Sequence, residues 1–146
     1  MEKVRVQRIT VDGLDSTRAL FGMAKGLRFD LIMLSGISFA GFNLVDARSV
    51  IRRFRRPVII VTETRPRNRL VARALKLHFR DWAKRLSYVR CLGRIYCVKT
   101  VYNGGIYFEV LGLNYKKAKR IIRQLTFIGK YPEPIRVARL LAQDLS

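Results

Sequence analysis

The chain has 146 residues, with 30 Lys+Arg against 10 Asp+Glu, a formal charge of +20 and 49% hydrophobic residues. This length fits one domain with a core that needs no metal or disulfide staple, and the apolar share excludes wholesale disorder. The charge excess opposes folding through self-repulsion and implies a polyanionic partner, nucleic acid before an anionic membrane surface.

The start, Met1-Glu2-Lys3-Val4-Arg5, has no secretory apolar region. Alternation of Val4, Val6, Ile9 and Val11 predicts a strand over residues 4–11, ending at Asp12-Gly13. Asp15 or Ser16 then caps a predicted helix to about residue 25. The run RFDLIML, residues 28–34, reads as a strand covered on both faces. A Gly-rich turn follows, and Asp46 caps a predicted helix over residues 47–54. PVIIVT, residues 57–62, is a second buried strand. Leu31 to Val45 is the longest uncharged stretch, at 15 residues, too short to span a bilayer.

Pro66 opens one long predicted helix to about residue 86, with Leu70, Val71, Ala74, Leu75, Phe79 and Trp82 on its apolar face. Two alternating runs, residues 94–102 and 106–111, flank Asn103-Gly104-Gly105 and predict a hairpin. Helices over residues 115–127 and 135–144 complete the chain. The alternation of strands and helices implies an α/β domain with a parallel or mixed sheet.

The segments VDGLDSTRAL, LIMLSGISFAGFNLVD, RPVIIVTETRP and IGKYPEPIRVARLLA resemble an archaeal family. It is the domain of unknown function numbered ninety-nine, a relative of endonuclease V within the ribonuclease H-like fold. The resemblance runs in order over nearly the whole chain. It implies one endonuclease V-like α/β domain over residues 1–146, a mixed sheet flanked by helices, truncated at the N-terminus. The family pattern has earlier strands with a Gly-Ile-Asp-Asp motif, and Leu-Asp-Gly where this chain reads Leu34-Ser35-Gly36. Both departures imply lost metal-binding aspartates.

Phosphodiester hydrolysis with a hard cation needs converging carboxylates. Asp12, Asp15 and Asp46 are the acids at predicted strand-to-helix junctions, and Asp12 and Asp46 are the candidate metal ligands. Asp15 and Asp46 read more readily as helix N-caps, and Asp12 also reads as a turn former. Cys91, Cys97 and His78 make no four-ligand zinc set, no disulfide framework and no activated nucleophile, which suits a reducing cytoplasm. No cofactor and no small-molecule substrate are expected.

Fifteen Lys/Arg lie between Arg48 and Arg94, opposed by Glu63 and Asp81 alone. Arg52, Arg53, Arg55 and Arg56 cluster before the second buried strand, and Arg65 and Arg67 follow it. Arg69, Arg73, Lys76, Arg80 and Lys84 fall on one face of the predicted long helix, with Arg85 beside them. Lys116, Lys117 and Arg120 mark a second basic helix. A solvated face would interleave acids; the Arg-rich composition instead suits bidentate phosphate contacts. The leading expectation is a non-catalytic archaeal RNA-binding protein, a ribosomal subunit component holding rRNA beside neighbouring ribosomal proteins. Two alternatives stay open: a Mg²⁺-dependent endonuclease V-like nuclease, and a protein-interaction module using an open sheet edge.

Overall fold

The computed structural model describes residues 3–100 and 104–145. Its elements in chain order are α1 (Ser16–Ala24), β1 (Ile32–Ser35), β2 (Ser38–Phe39), β3 (Asn43–Leu44), α2 (Ala47–Phe54) and β4 (Val58–Thr62). They are followed by α3 (Asn68–His78), α4 (Trp82–Arg90), β5 (Tyr96–Lys99), β6 (Gly105–Leu111), α5 (Tyr115–Leu125) and α6 (Glu133–Leu145).

Apolar runs without polar alternation become inner strands because helices cover both faces of the sheet. The sheet order is β1-β4-β6-β5. β1 runs parallel to β4, with Ser35 opposite Val61. β6 is antiparallel to β4, with Glu109 opposite Ile60, and pairs with β5 as a hairpin. Val58 and Ile60 join Ile32, Leu34 and Val50 in the layer that receives Leu20 and Phe21 of α1. Ile59 and Val61 pack with Phe108, Ile122 and Ile135 on the other face. Val58 to Val61 are therefore all buried. A third cluster joins Leu75, Leu86 and Val89 of α3 and α4 to Leu44. The chain is a single-domain α/β protein with a mixed sheet flanked by helices.

Three sequence expectations are corrected. Residues 4–11 form no strand: Val4, Val6 and Val11 are exposed, and the Arg5 guanidinium donates to the carbonyls of Met23 and Lys25 beside α1. An alternating pattern becomes a strand only where a neighbouring strand accepts its backbone, and none does here. The run at residues 28–34 turns extended only from Ile32. The long helix breaks at Phe79, whose backbone is extended (φ −128°, ψ 132°). The break packs the Phe79 ring edge-on to Phe42, at 5.6 Å, and brings Leu86 and Val89 around Leu44. A continuous helix would carry them past that contact. Tyr102 and Asn103 of the predicted hairpin lie outside the described residues.

Candidate functional site

In open α/β sheets, ligands gather outside the carboxyl ends of parallel strands. Here that end belongs to β1 and β4. The Gly36 amide donates to Val61 O, and the Val45 amide donates to Ile37 O, both at 2.9 Å. These bonds bring the chain entering α2 to the point where β1 ends. At the far end of the same strand pair, a Cβ on Gly112 would touch both Ile51 of α2 and Pro57. α2 therefore runs back along the sheet, and its N-terminus, led by Asp46, opens at the carboxyl end.

Asp46 does not cap α2 through its side chain. Its amide donates to Thr17 Oγ1, and its Oδ2 accepts from Ser49 Oγ at 2.7 Å. Arg48 Nε stands 3.6 Å from Oδ1 as an ion pair. Oδ1 is nonetheless buried without a hydrogen-bond partner, and so is Thr62 Oγ1 at the end of β4. Buried polar atoms are nearly always satisfied, so two orphan oxygens mark this end of the sheet.

On the opposite face, Ser35 Oγ accepts from Arg139 Nη1 at 3.1 Å. Glu63 accepts from Lys130 Nζ at 3.2 Å and from Tyr131 Oη at 3.1 Å. The Lys130 and Tyr131 bonds hold the Glu63 carboxyl below its ordinary range. Burial, followed by the Glu63 bond, pushes the Tyr131 phenol up. The Arg139 guanidinium lies 4.7 Å from the Tyr131 ring centroid. Sequence reasoning missed Thr62, Glu63, Lys130, Tyr131 and Arg139. The usable signal was position: Thr62 ends a buried strand and Glu63 follows it directly.

The other candidate metal ligand, Asp12, is used structurally. Its φ is 57°, its Oδ1 accepts from the Phe42 amide at 2.8 Å, and a Cβ on Gly41 would collide with that same oxygen. Asp12 thus holds the FAGFN turn. Asp15 accepts from Asn43 Nδ2 and from the Thr10 amide and hydroxyl, bonds that lower its carboxyl from the ordinary value, Asn43 first. Among the described residues no three His, Cys, Asp or Glu side chains group as a metal cluster.

Of the predicted phosphate-facing residues, Arg52, Arg53, Arg55, Arg56, Arg65, Arg67, Lys116, Lys117 and Arg120 are exposed. Arg69, Arg73 and Lys76 share the exposed side of α3, with Lys76 Nζ 5.1 Å from the Trp82 ring centroid. The helix break separates them from Arg80, in the connection, and Lys84, on α4, so the single five-residue face is not formed. Arg85 is corrected outright. It is 6% exposed, and its guanidinium donates to the carbonyls of Asp12, Gly13 and Phe42 and to Asp81 Oδ1. It ties α4 to two loops and is not presented to RNA.

A family model described as Endonuclease dU matches residues 1–146. A UPF0215 protein of Pyrococcus furiosus is 38% identical over 138 residues, which is 92% of this chain and 70% of that protein. A UPF0215 protein of Methanosarcina acetivorans is 35% identical over 150 residues, 99% of this chain and 76% of that protein. A crystal structure of a protein of unknown function from Archaeoglobus fulgidus superposes with a TM-score of 0.82 at 30% identity. That superposition covers 94% of this chain and 78% of the other. A mixed α/β sheet with two unsatisfied buried oxygens at its parallel end occurs here in a family of endonuclease type. The chain is a member of the Endonuclease dU family.

This membership overturns two expectations. A ribosomal, rRNA-holding role finds no support among the relatives, and a non-catalytic reading conflicts with an endonuclease family. The ribosomal expectation leaned on charge, but basic charge is equally suited to an enzyme that cuts a polyanion; the non-catalytic one leaned on two aspartates of the resembled pattern that are missing here, which the family match outweighs.

Proposed function

We propose that this chain is an endonuclease domain that hydrolyses nucleic acid in the crevice at the carboxyl end of β1 and β4. The observation that carries the reading is Asp46, whose Oδ1 is buried at the N-terminus of α2 without a hydrogen-bond partner, facing only the Arg48 guanidinium at 3.6 Å. We extend it to the ribonuclease H-like, endonuclease V-like class, with Ser35 standing where that pattern has an aspartate. The parallel β1–β4 pair with helices on both faces supports this extension.

The donor set fits a hard divalent cation only as a site shared with substrate. Asp46 Oδ1 would offer such an ion one carboxylate oxygen, and the remaining ligands would have to come from substrate phosphate and water. Such an ion would supply Lewis-acid polarisation of the scissile phosphate. The chain's own residues do the rest. Exposed Arg65 and Arg67, in the loop leaving β4, draw the backbone in. Arg139, already on Ser35 Oγ, orients the hydroxyl beside the crevice. Ser49 holds Asp46 Oδ2, which leaves Oδ1, beside the Arg48 guanidinium, as the oxygen to take a ligand. Cytoplasmic action on DNA or RNA fits the cysteine usage, and the family description makes deoxyuridine-containing DNA the first substrate to try.

The test is cleavage of labelled oligonucleotides with Mg²⁺ or Mn²⁺. Asp46→Ala should lower the rate at least about a hundredfold while binding persists. Undiminished cleavage by Asp46→Ala, or no cleavage of any substrate by the wild type, would overturn the reading.

A further inference from the structure

The sheet edge farthest from the crevice carries a second polar surface. β5 stands three strand spacings from β1, about 14 Å at roughly 4.8 Å each, and α5 packs against it. Tyr115, Lys116, Lys119, Arg120 and Arg123 of α5 line a shallow pocket of about 330 Å³. The spacing of three and four residues puts the four cations on one side of the helix, opposite buried Ala118 and Ile122. α5 contains no acid, and among the described residues none of the four cations forms an ion pair. Like charges at these spacings destabilise an isolated helix, so the arrangement gains from an anion.

An aromatic column enters the same pocket. The Tyr96 and Tyr115 rings are stacked at 4.6 Å and 2°, and Tyr96 stacks on buried Phe108 at 5.4 Å and 28°. The Arg94 guanidinium lies 5.7 Å from the Tyr96 ring centroid. Tyr115 ends the column, is 39% exposed and lines the basic pocket. Core packing accounts for Phe108 and for part of Tyr96, but not for a second tyrosine, its ring parallel to the first, presented among four cations.

We propose that the α5–β5 surface is an exosite for single-stranded nucleic acid, with one base continuing the Phe108–Tyr96–Tyr115 column and its flanking phosphates on Lys116, Lys119, Arg120 and Arg123. A base inside a duplex has no free face for such a stack, so the site selects unpaired strand. The inference deepens the endonuclease reading by naming the form of substrate the domain holds. It rests on that reading only for its role in cleavage.

The experiment is fluorescence anisotropy with three 12-nucleotide probes: oligo-dT, an abasic strand of equal length, and a duplex. The wild type should bind oligo-dT about tenfold more tightly than the abasic strand, the size of one base–aromatic stack. Tyr115→Ala should erase that preference, and Tyr115→Phe should keep it. Lys119→Glu with Arg120→Glu should weaken both single strands equally and lower the log–log salt slope by about 1.4. Equal wild-type affinity for oligo-dT and the abasic strand, or a preference that survives Tyr115→Ala, would overturn the exosite. Cleavage is assayed on the same samples. Loss of the exosite with cleavage intact leaves the endonuclease reading standing, and the base preference without any cleavage leaves the exosite standing alone.

Discussion

Glu109 is 3% exposed in a central strand, opposite Ile60, and burial alone pushes its carboxyl up to about 7. Its charged form is disfavoured in the folded state, so it binds its proton more tightly there than in the unfolded chain. The resulting penalty is absent below the ordinary value of 4.5, grows as pH rises, and is complete above about 7. Its full size is on the order of 3 kcal/mol. Glu109→Gln should therefore raise Tm at pH 8 and leave it nearly unchanged at pH 4. Thermal unfolding across that range checks this, and parallel curves for the two proteins would refute it. The orphan oxygen of Asp46 belongs to the same scale. The sequence marks Asp46 as a helix cap, yet the cap bond is absent and the side chain turns to Ser49 instead.

At the scale of elements, one guanidinium ties α4 to two loops. Arg85 reaches three carbonyls in two loops, and it lies 4.1 Å above the Phe79 ring at the helix break. Arg85→Met keeps the length but strands those carbonyls, which destabilises the fold by on the order of 3 kcal/mol. Hydrogen exchange should quicken first at the Asp12 and Phe42 amides, while the amides of β4 exchange only with global unfolding. Uniform acceleration throughout the chain would contradict this placement. In the sequence Arg85 reads as one cation among fifteen. Nothing in its neighbours distinguishes it, because the carbonyls it binds lie 43 to 73 positions away.

At the scale of the whole molecule, the +20 charge is displayed on separate surfaces: the end of α2, the exposed side of α3, and α5. Arg69 and Arg73 remain neighbours on α3 after the helix breaks. Arg69→Glu with Arg73→Glu should weaken nucleic-acid binding and reduce the log–log salt slope by about 0.7–0.9 for each phosphate no longer neutralised. An unchanged slope would remove α3 from the binding surface.

The buried strands at Val58–Thr62 and Ile32–Ser35, helix α2 and the hairpin of β5 and β6 were legible because each is a local pattern of apolar period and turn residues. The sequence by itself determined the α/β class, the strongly basic charge and the resemblance to an endonuclease-like family. The helix break at Phe79, the burial of Arg85, the missing strand at residues 4–11 and the unsatisfied oxygen of Asp46 were decided only by tertiary structure. Each depends on groups far apart in the chain competing for the same hydrogen bonds and the same buried space, and local sequence carries no record of that competition.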